Sequence, residues 1–281
     1  MSFKHTLIFF LIITTSVNIK ASEINSLIYA SWNKPDVELL YKLPEIINND
    51  TKVLFIIHGG YRDPKRYIQP WLEKTNNKNV ILIAPNFTRE YYPNYVFLEK
   101  SDKNGNLVQD ESKTLINSIS SFYTLFKSKY NLSDNNYMIF GYSGGSQFIH
   151  RYMMYSLDKN IDKAVIGGAP YYTFLNDASF PYGVKNMPLS RERYEWLLSR
   201  ELLFLQGDKD IKPNYLNNES VQKQGSNRFS RGNAYFKNLV TFAETNNMPF
   251  RWRYKVIEGA EHKMELFVDE AHTFLLSELD Y

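Results

Sequence analysis

The sequence predicts an α/β fold in which a mostly parallel sheet carries helices on both faces. Short, nearly continuous apolar runs with β-branched residues recur along the chain, as expected of strands that are buried on both sides. Segments with apolar residues at helical spacing alternate with these runs, and this alternation is typical of parallel sheets. Glycines and polar residues follow several of the runs directly, at the positions where such folds gather their reactive groups.

The predicted strands are short and are bounded by turn residues. Two of them lie within residues 26–43, on either side of a turn at residues 33–36. Pro85 is expected to end the strand that precedes it, because proline cannot donate to a strand ladder. The other predicted strands are residues 52–57, 80–84, 137–140, 163–166, 201–206 and 250–257.

The predicted helices carry apolar residues three and four positions apart. One helix starts after Asp63, a residue type that caps helices, and is interrupted at Pro70. Residues 86–109 and 212–230 are predicted to be irregular. The remaining predicted helices are residues 110–130, 144–157, 191–199, 231–246 and 264–279.

Residues 171–199 break the alternation of strands and helices. The segment is rich in aromatic rings and prolines, and long insertions in compact folds are usually functional or disordered. Its ring content argues against disorder, so we expect a small cap over the site; a long connection is the alternative. No internal repeat or linker divides the chain, which predicts one domain over residues 22–281.

The first residues have the pattern of a secretory signal peptide. Lys4 and His5 precede an apolar run over residues 7–17, and small residues follow it. The run is shorter than the roughly 20 apolar residues of a membrane-spanning helix. We therefore expect residues 1–21 to be removed after Ala21 and the protein to be secreted or periplasmic. An uncleaved N-terminal anchor is the alternative.

Charge and composition exclude several classes of function. Residues 1–21 hold two lysines and no acid, so their removal lowers the net charge from +3 to +1. This charge and the absence of a basic cluster argue against nucleic acid as a partner. The chain has no cysteine, which excludes thiolate zinc sites, a thiol nucleophile and disulfides. After signal removal no segment is long and apolar enough to span a membrane.

Residues 141–145 (Gly-Tyr-Ser-Gly-Gly) lie between a predicted strand and a predicted helix. A serine hydroxyl is a poor nucleophile and needs exposure, a base and an oxyanion site. A sharp strand-to-helix turn exposes Ser143, and glycines two positions before and after it leave room for that turn. The pattern predicts a nucleophile elbow; an ordinary glycine-rich turn is the alternative.

Other reactive residues also follow predicted strands. His58 ends one strand, Asp208 and Asp210 follow another, and His262 follows the last. Serine, aspartate and histidine thus occur in that order along the chain, each after its own strand. His150 and His272 lie inside predicted helices and are weaker candidates for a base.

Four motifs carry a resemblance to a known family: residues 58–60 (His-Gly-Gly), 141–145, 207–210 (Gly-Asp-Lys-Asp) and 259–262 (Gly-Ala-Glu-His). With them the chain resembles the α/β-hydrolase superfamily over residues 26–281. Among its branches the chain is similar to secreted esterases of the polyhydroxyalkanoate-depolymerase and feruloyl-esterase types. The first motif lacks the third glycine of the His-Gly-Gly-Gly lipase pattern, which puts that subgroup in doubt.

The resemblance implies a catalytic triad. Ser143 would be the nucleophile, and His262 the base that takes its proton and returns it to the leaving group. The superfamily usually places the acid three residues after the strand-ending glycine, which favours Asp210. Asp208 is the alternative acid, and it could instead cap the turn.

The resemblance also implies an oxyanion hole and a binding cleft. The amide of Gly144 and that of Gly60 would bind the oxyanion, with the amide of Tyr61 as the alternative to Gly60. His58 would support the shape of that loop. Tyr61 and Tyr142 are candidate substrate-binding residues, although Tyr142 could equally pack against the sheet.

These expectations define a serine hydrolase that cleaves a carboxylic ester through an acyl-enzyme, without metal or organic cofactor. Its substrate would be a small-molecule or polymeric ester. A serine peptidase or amidase could use the same residues. A non-catalytic binding protein on the same fold is the alternative from another class.

Overall fold

The computed structural model describes residues 23–102, 105–212 and 218–279. The predicted signal peptide, residues 1–21, lies outside them. The described residues contain one eight-stranded sheet. Its strands are β1 (Asn25–Tyr29), β2 (Val37–Lys42), β3 (Lys52–Ile57), β4 (Val80–Asn86), β5 (Tyr137–Tyr142), β6 (Ile161–Gly167), β7 (Glu201–Gly207) and β8 (Trp252–Ile257).

The sheet is mostly parallel, as the sequence predicts. Its strand order is β1-β2-β4-β3-β5-β6-β7-β8. Only the β1–β2 and β2–β4 pairs are antiparallel. The remaining neighbours are parallel, so the carboxyl ends of β3, β5, β7 and β8 meet at one edge. The loops that follow these four strands carry the residues singled out in the sequence.

Helices cover both faces of the sheet. Alternate side chains of β3 point to opposite sides: Phe55 belongs to the buried cluster on one face of the sheet, whereas Leu54 belongs to the cluster on the other face. Burial on both faces explains why the strands have continuous apolar sequences. The helices are α1 (Pro64–Ile68), α2 (Trp71–Lys74), α3 (Ser118–Tyr130), α4 (Gly144–Tyr155), α5 (Arg191–Leu198), α6 (Glu219–Gln222), α7 (Arg228–Thr245) and α8 (Val268–Leu276).

The expectation that Pro85 ends its strand is wrong. β4 continues through Pro85 to Asn86. β3 pairs with β4 only as far as Ile83, and beyond that residue β4 pairs with β2 alone. The end of β4 is therefore an edge on one side, which is where a strand tolerates proline.

Two helix boundaries also differ from the prediction. Residues 110–130 do not form one helix, because α3 begins only at Ser118 after a 3₁₀ turn at Glu111–Lys113. Residues 212–230 are not wholly irregular, since α6 lies within them and α7 starts at Arg228. Asn227 caps α7 with its side chain, in a reciprocal pair of bonds with Ser230.

The segment over residues 171–199 contains α5 and otherwise neither helix nor strand. It is fastened to α4 by Arg151, whose buried guanidinium donates to the Thr173 hydroxyl (2.9 Å) and to the Pro181 carbonyl (3.4 Å). No residue of this segment lines the cleft at Ser143. A cap over the site therefore stays a prediction.

No helix within the described ranges combines the length and apolarity that crossing a membrane would require.

Candidate active site

Ser143 lies in a sharp turn between the central strand β5 and helix α4. Its backbone has φ 57° and ψ −117°, a conformation that a residue with a side chain rarely adopts. The Ser143 amide donates to the carbonyl of Gly167 at the end of β6, 2.9 Å away. The turn is thus anchored to the neighbouring strand, and the serine side chain points away from the sheet edge into a cleft.

Close packing explains the two glycines that flank the serine at a distance of two residues. A Cβ atom on Gly145 would lie 2.1 Å from the carbonyl oxygen of Ile57. A Cβ atom on Gly141 would lie 2.6 Å from the Ile149 side chain and 2.7 Å from the backbone of Gly145. Helix α4 can approach β3 and β5 this closely only because both positions lack a side chain.

The loops after β7 and β8 hold Asp210 and His262 side by side. The amide of Lys209 donates to the carbonyl of Ala260 (3.1 Å), which ties one loop to the other. The amide of Asp210 donates to the carbonyl of Gly207 (3.1 Å), so residues 207–210 form a tight turn at the end of β7. Two residues far apart in the sequence therefore face each other above adjacent strands.

The three side chains form a continuous chain of hydrogen bonds. His262 Nδ1 lies 2.6 Å from Asp210 Oδ2, and His262 Nε2 lies 3.1 Å from Ser143 Oγ. The Asp210 side chain is only 1% exposed. An ionised carboxylate can only accept, so it places the imidazole hydrogen on Nδ1 and leaves Nε2 to accept the serine proton.

Arg228 supports Asp210, and nothing in the sequence pointed to it. Arg228 Nη1 lies 3.2 Å from Asp210 Oδ1, and both side chains are largely buried. The carboxylate thus pairs with a guanidinium through one oxygen and with the imidazole through the other. These two partners offset the cost of removing the carboxylate from water.

The other candidate acid and bases lie elsewhere. Asp208 is 3.9 Å from Lys209 Nζ, and the carboxylate that bonds to His262 is that of Asp210. His150 is buried in α4, where it bonds to the Ser146 carbonyl and the Thr173 amide. His272 bonds to the Lys74 carbonyl at the end of α2. The structure therefore brings Asp210 and His262, and none of these three, to the serine.

The loop after β3 passes directly beside the first turn of α4. A Cβ atom on Gly144 would lie 2.9 Å from the amide nitrogen of Gly60. The same atom would lie 2.6 Å from the hydroxyl of Tyr95, which donates to the carbonyl of His58 (2.8 Å). The amide nitrogen of Gly60 thus lies beside the α-carbon of Gly144, next to the turn that carries Ser143.

His58 braces this loop. Its Nε2 accepts the amide of Phe87 (3.1 Å), and its Nδ1 lies 3.0 Å from the carbonyl of Gly59. Complete burial lowers the pKa of His58 to about 4, so the imidazole is neutral. Burial and the neighbouring Arg151 also hold the pKa of His150 well below 6.5.

The buried histidines predict a loss of stability at mildly acidic pH. The unfolded chain binds protons at these imidazoles near their ordinary pKa of 6.5, whereas the folded chain does not. The two imidazoles therefore contribute fully to the free energy of unfolding above pH 6.5, and this contribution decreases as the pH drops towards 4. Between about pH 7.5 and 5.5 we expect urea titration to show a loss of roughly 2 kcal/mol in the free energy of unfolding.

The control for this prediction is His58→Gln. His150 keeps its contribution in that variant, so the loss between the same two pH values should fall to about half. A wild-type free energy of unfolding that is equal at both pH values would contradict the assignment of neutral, buried imidazoles.

The cleft in front of Ser143 has a volume of about 340 Å³. Both tyrosines singled out in the sequence line it. Tyr61 is 83% exposed at its mouth. Tyr142 is buried against Phe267 and the His262 ring, with centroids 4.7 and 5.1 Å away. Its hydroxyl lies 3.4 Å from His262 Nδ1, so Tyr142 packs under the histidine as well as lining the cleft.

Over the three described stretches of the chain, no group of three or more His, Cys, Asp or Glu side chains is arranged to hold a metal ion.

Comparison with known proteins supports the assignment of the fold. No protein-family model matches the sequence, and no curated protein sequence matches it. Poly(aspartic acid) hydrolase-1 from Sphingomonas sp. KT-1 has a similar structure, with a TM-score of 0.84 and 23% identity over 90% of this chain and 98% of that one. A poly(3-hydroxybutyrate) depolymerase from Bordetella parapertussis has a TM-score of 0.83 and 20% identity, over 92% and 91% of the two chains.

A ferulic acid esterase is similar at a lower level, with a TM-score of 0.54 and 14% identity over 90% of this chain and 95% of that one. These similarities extend over nearly the whole length of each compared protein, so the entire sheet and its helices have a similar arrangement. Together with the strand order and the turn at Ser143, they establish that the chain has the α/β-hydrolase fold.

Proposed function

We propose that the protein is a secreted serine hydrolase that cleaves a carboxylic ester through Ser143, His262 and Asp210. The observation that carries this proposal is the hydrogen-bonded chain from Ser143 Oγ through the imidazole to a buried carboxylate. This arrangement serves to activate a hydroxyl, because it supplies a correctly oriented base beside a partly exposed serine that lines the cleft.

The proposed reaction has two halves. In the first, Ser143 Oγ attacks the ester carbonyl while its proton passes to His262 Nε2. The tetrahedral oxyanion receives hydrogen bonds from the amides of Gly144 and Gly60, with the amide of Tyr61 as the alternative to Gly60. The imidazolium, stabilised by Asp210, protonates the departing alcohol and leaves an acyl-enzyme.

In the second half water replaces the alcohol. His262 takes a proton from the water, whose oxygen attacks the acyl carbon. Collapse of the second oxyanion breaks the bond to Ser143 Oγ, which recovers its proton from the imidazolium. The products are a carboxylic acid and the alcohol, and the enzyme returns to its starting state.

Hydrolysis of an amide is the second candidate function. One of the two most similar structures reported above is a hydrolase of poly(aspartic acid), a polyamide, and the other is a depolymerase of a polyester. The same serine, histidine and aspartate can attack either carbonyl. The rates of hydrolysis of aryl esters and of peptide amides, measured at equal protein concentration, distinguish the two functions. We expect the esters to be cleaved faster.

Labelling with a fluorophosphonate tests the proposal. We expect one adduct on Ser143, no adduct on Ser143→Ala, and normal labelling of Ser146→Ala. The last variant is a matched control, because Ser146 lies one turn further along α4 and is fully buried. Secreted protein should have a mass that corresponds to an N-terminus at Ser22.

Three outcomes would contradict this proposal in different ways. Folded wild-type protein that does not react would favour a non-catalytic binding protein. Labelling of Ser143→Ala at the wild-type rate would exclude Ser143 as the nucleophile. A mass that includes residues 1–21 would favour the uncleaved anchor.

A further inference from the structure

The wall of the cleft carries a local excess of positive charge. Three of its fourteen lining residues are arginines, and none is an aspartate or a glutamate. The whole chain is nearly balanced, with 33 basic and 30 acidic residues. The excess therefore belongs to the cleft and does not follow from the composition. The three arginines are Arg66, Arg89 and Arg228.

Two of these arginines have carboxylate partners behind the wall. Arg228 pairs with Asp210 at 3.2 Å. Arg66 pairs with Glu265 at 3.0 Å, and both of these side chains are partly exposed. Each pair is close to neutral, so neither arginine by itself attracts an anion strongly. The N–H groups of these two arginines mainly bind the carboxylates behind them, which stabilises the wall of the cleft.

Arg89 is different. Its Nη2 donates to the carbonyl of Gly60 (2.9 Å), and within the described residues it has no carboxylate partner. The side chain is exposed at the mouth of the cleft. A guanidinium has five N–H donors in a rigid fork, so most of them remain available to a ligand. The guanidinium of Arg89 is therefore held against the loop after β3, beside the turn that carries Ser143.

The loop that carries Arg89 is held in place by another arginine. Arg62 donates to the carbonyls of Phe87 (2.6 Å), Tyr92 (2.8 Å) and Pro93 (3.0 Å). Its guanidinium also lies 3.8 Å from the centre of the Tyr95 ring. Such a network fixes the backbone around Arg89 before a ligand arrives, which lowers the entropic cost of binding.

We propose that Arg89 binds a carboxylate of the substrate and that the enzyme prefers esters that carry one close to the scissile carbonyl. This inference rests on the proposed function, since it assigns the substrate class of the same site. A planar carboxylate matches the fork of a guanidinium and gains two charge-assisted hydrogen bonds. The carboxylate could be the free end of a hydroxyacid oligomer or a side chain along a polymer.

Binding to Ser143→Ala protein tests the inference without turnover. Calorimetry compares monomethyl adipate, which carries a carboxylate, with dimethyl adipate. We expect the first to bind about tenfold more tightly at low ionic strength, and added salt should reduce this ratio. The additional change Arg89→Gln should bring the ratio to about one, whereas Arg89→Lys should keep part of it.

Arg251→Gln provides the matched control, because Arg251 is exposed and precedes β8 at the opposite edge of the sheet. It should leave the ratio unchanged. Equal binding of the two adipates, or a ratio that survives Arg89→Gln, would overturn the inference.

Kinetics on active protein then separate this inference from the proposed function and identify the source of the carboxylate. The 4-nitrophenyl hemiadipate should exceed 4-nitrophenyl hexanoate in kcat/KM by about tenfold, and Arg89→Gln should abolish the preference. Hydrolysis of both esters at equal rates would refute the role of Arg89 and leave the proposed function intact. Absence of hydrolysis would refute the proposed function. In that case the ratio of the affinities for the two adipates, measured by calorimetry, would still decide the role of Arg89.

The free acid of a 3-hydroxybutyrate trimer, compared with its methyl ester, tests recognition of a terminal carboxylate. Polymalate, compared with its methyl ester, tests recognition of side-chain carboxylates. An Arg89-dependent preference for the acid in either pair supports the inference and shows whether the recognised carboxylate is terminal or on a side chain. The same rate for acid and methyl ester in both pairs would count against it.

Discussion

Asp210→Asn is expected to lower kcat for an aryl ester by about four orders of magnitude. Asp210 Oδ2 accepts the hydrogen on His262 Nδ1, and the Nε2 lone pair thereby faces Ser143 Oγ. An asparagine can present its NH₂ group to Nδ1 instead, which favours the tautomer with hydrogen on Nε2. That imidazole can no longer take the serine proton. Steady-state kinetics, with circular dichroism as a check on folding, measure the effect.

Asp208→Asn is the matched control for this prediction. Asp208 lies two residues away in the same turn, but its carboxylate faces Lys209 and not His262. We expect kcat to change by less than about tenfold, since only the field at the site is altered. If the loss were larger in Asp208→Asn than in Asp210→Asn, the assignment of the acid would be wrong.

The elements around Ser143 could be predicted from the sequence because their determinants are local. An apolar run, a turn and an amphipathic segment lie within some twenty residues, and each leaves its own pattern. Gly141 and Gly145 are required by contacts within the same unit and with β3. Such contacts restrict the residue type, so the pattern around the serine is informative even without a structure.

The choice between Asp208 and Asp210 could not be made from the residues alone. Both follow the end of β7, and only the superfamily pattern favoured the second. In the structure the bond from Lys209 to Ala260 orients the turn, so that Asp210 faces the loop after β8. This contact joins residues about fifty positions apart, and no local pattern encodes it.

Arg228 was missed for a related reason. The sequence predicted a loop up to residue 230 and a helix from residue 231, whereas α7 begins at Arg228. The capping pair between Asn227 and Ser230 starts the helix earlier than its apolar spacing indicates. That start places the guanidinium against Asp210, and the role of Arg228 depends on this tertiary contact.

Gly145→Ala is expected to destabilise the fold by about 3 kcal/mol or more, although alanine is the better helix former by about 1 kcal/mol. The new Cβ would lie 2.1 Å from the carbonyl oxygen of Ile57 and 3.1 Å from that of His58. Both atoms belong to the backbone at the end of β3, in the middle of the sheet. They cannot turn aside as the end of a flexible side chain can, so α4 would have to move away from the strand.

Gly60→Ala is the matched comparison, since the same methyl group there meets open space with no atom within 4 Å. We expect a change of less than about 1 kcal/mol in this variant. Thermal or urea unfolding of the two variants measures the difference directly. If Gly145→Ala were as stable as Gly60→Ala, the close approach of α4 to β3 would not be needed. The glycine two residues after Ser143 would then reflect something other than the packing that exposes the serine.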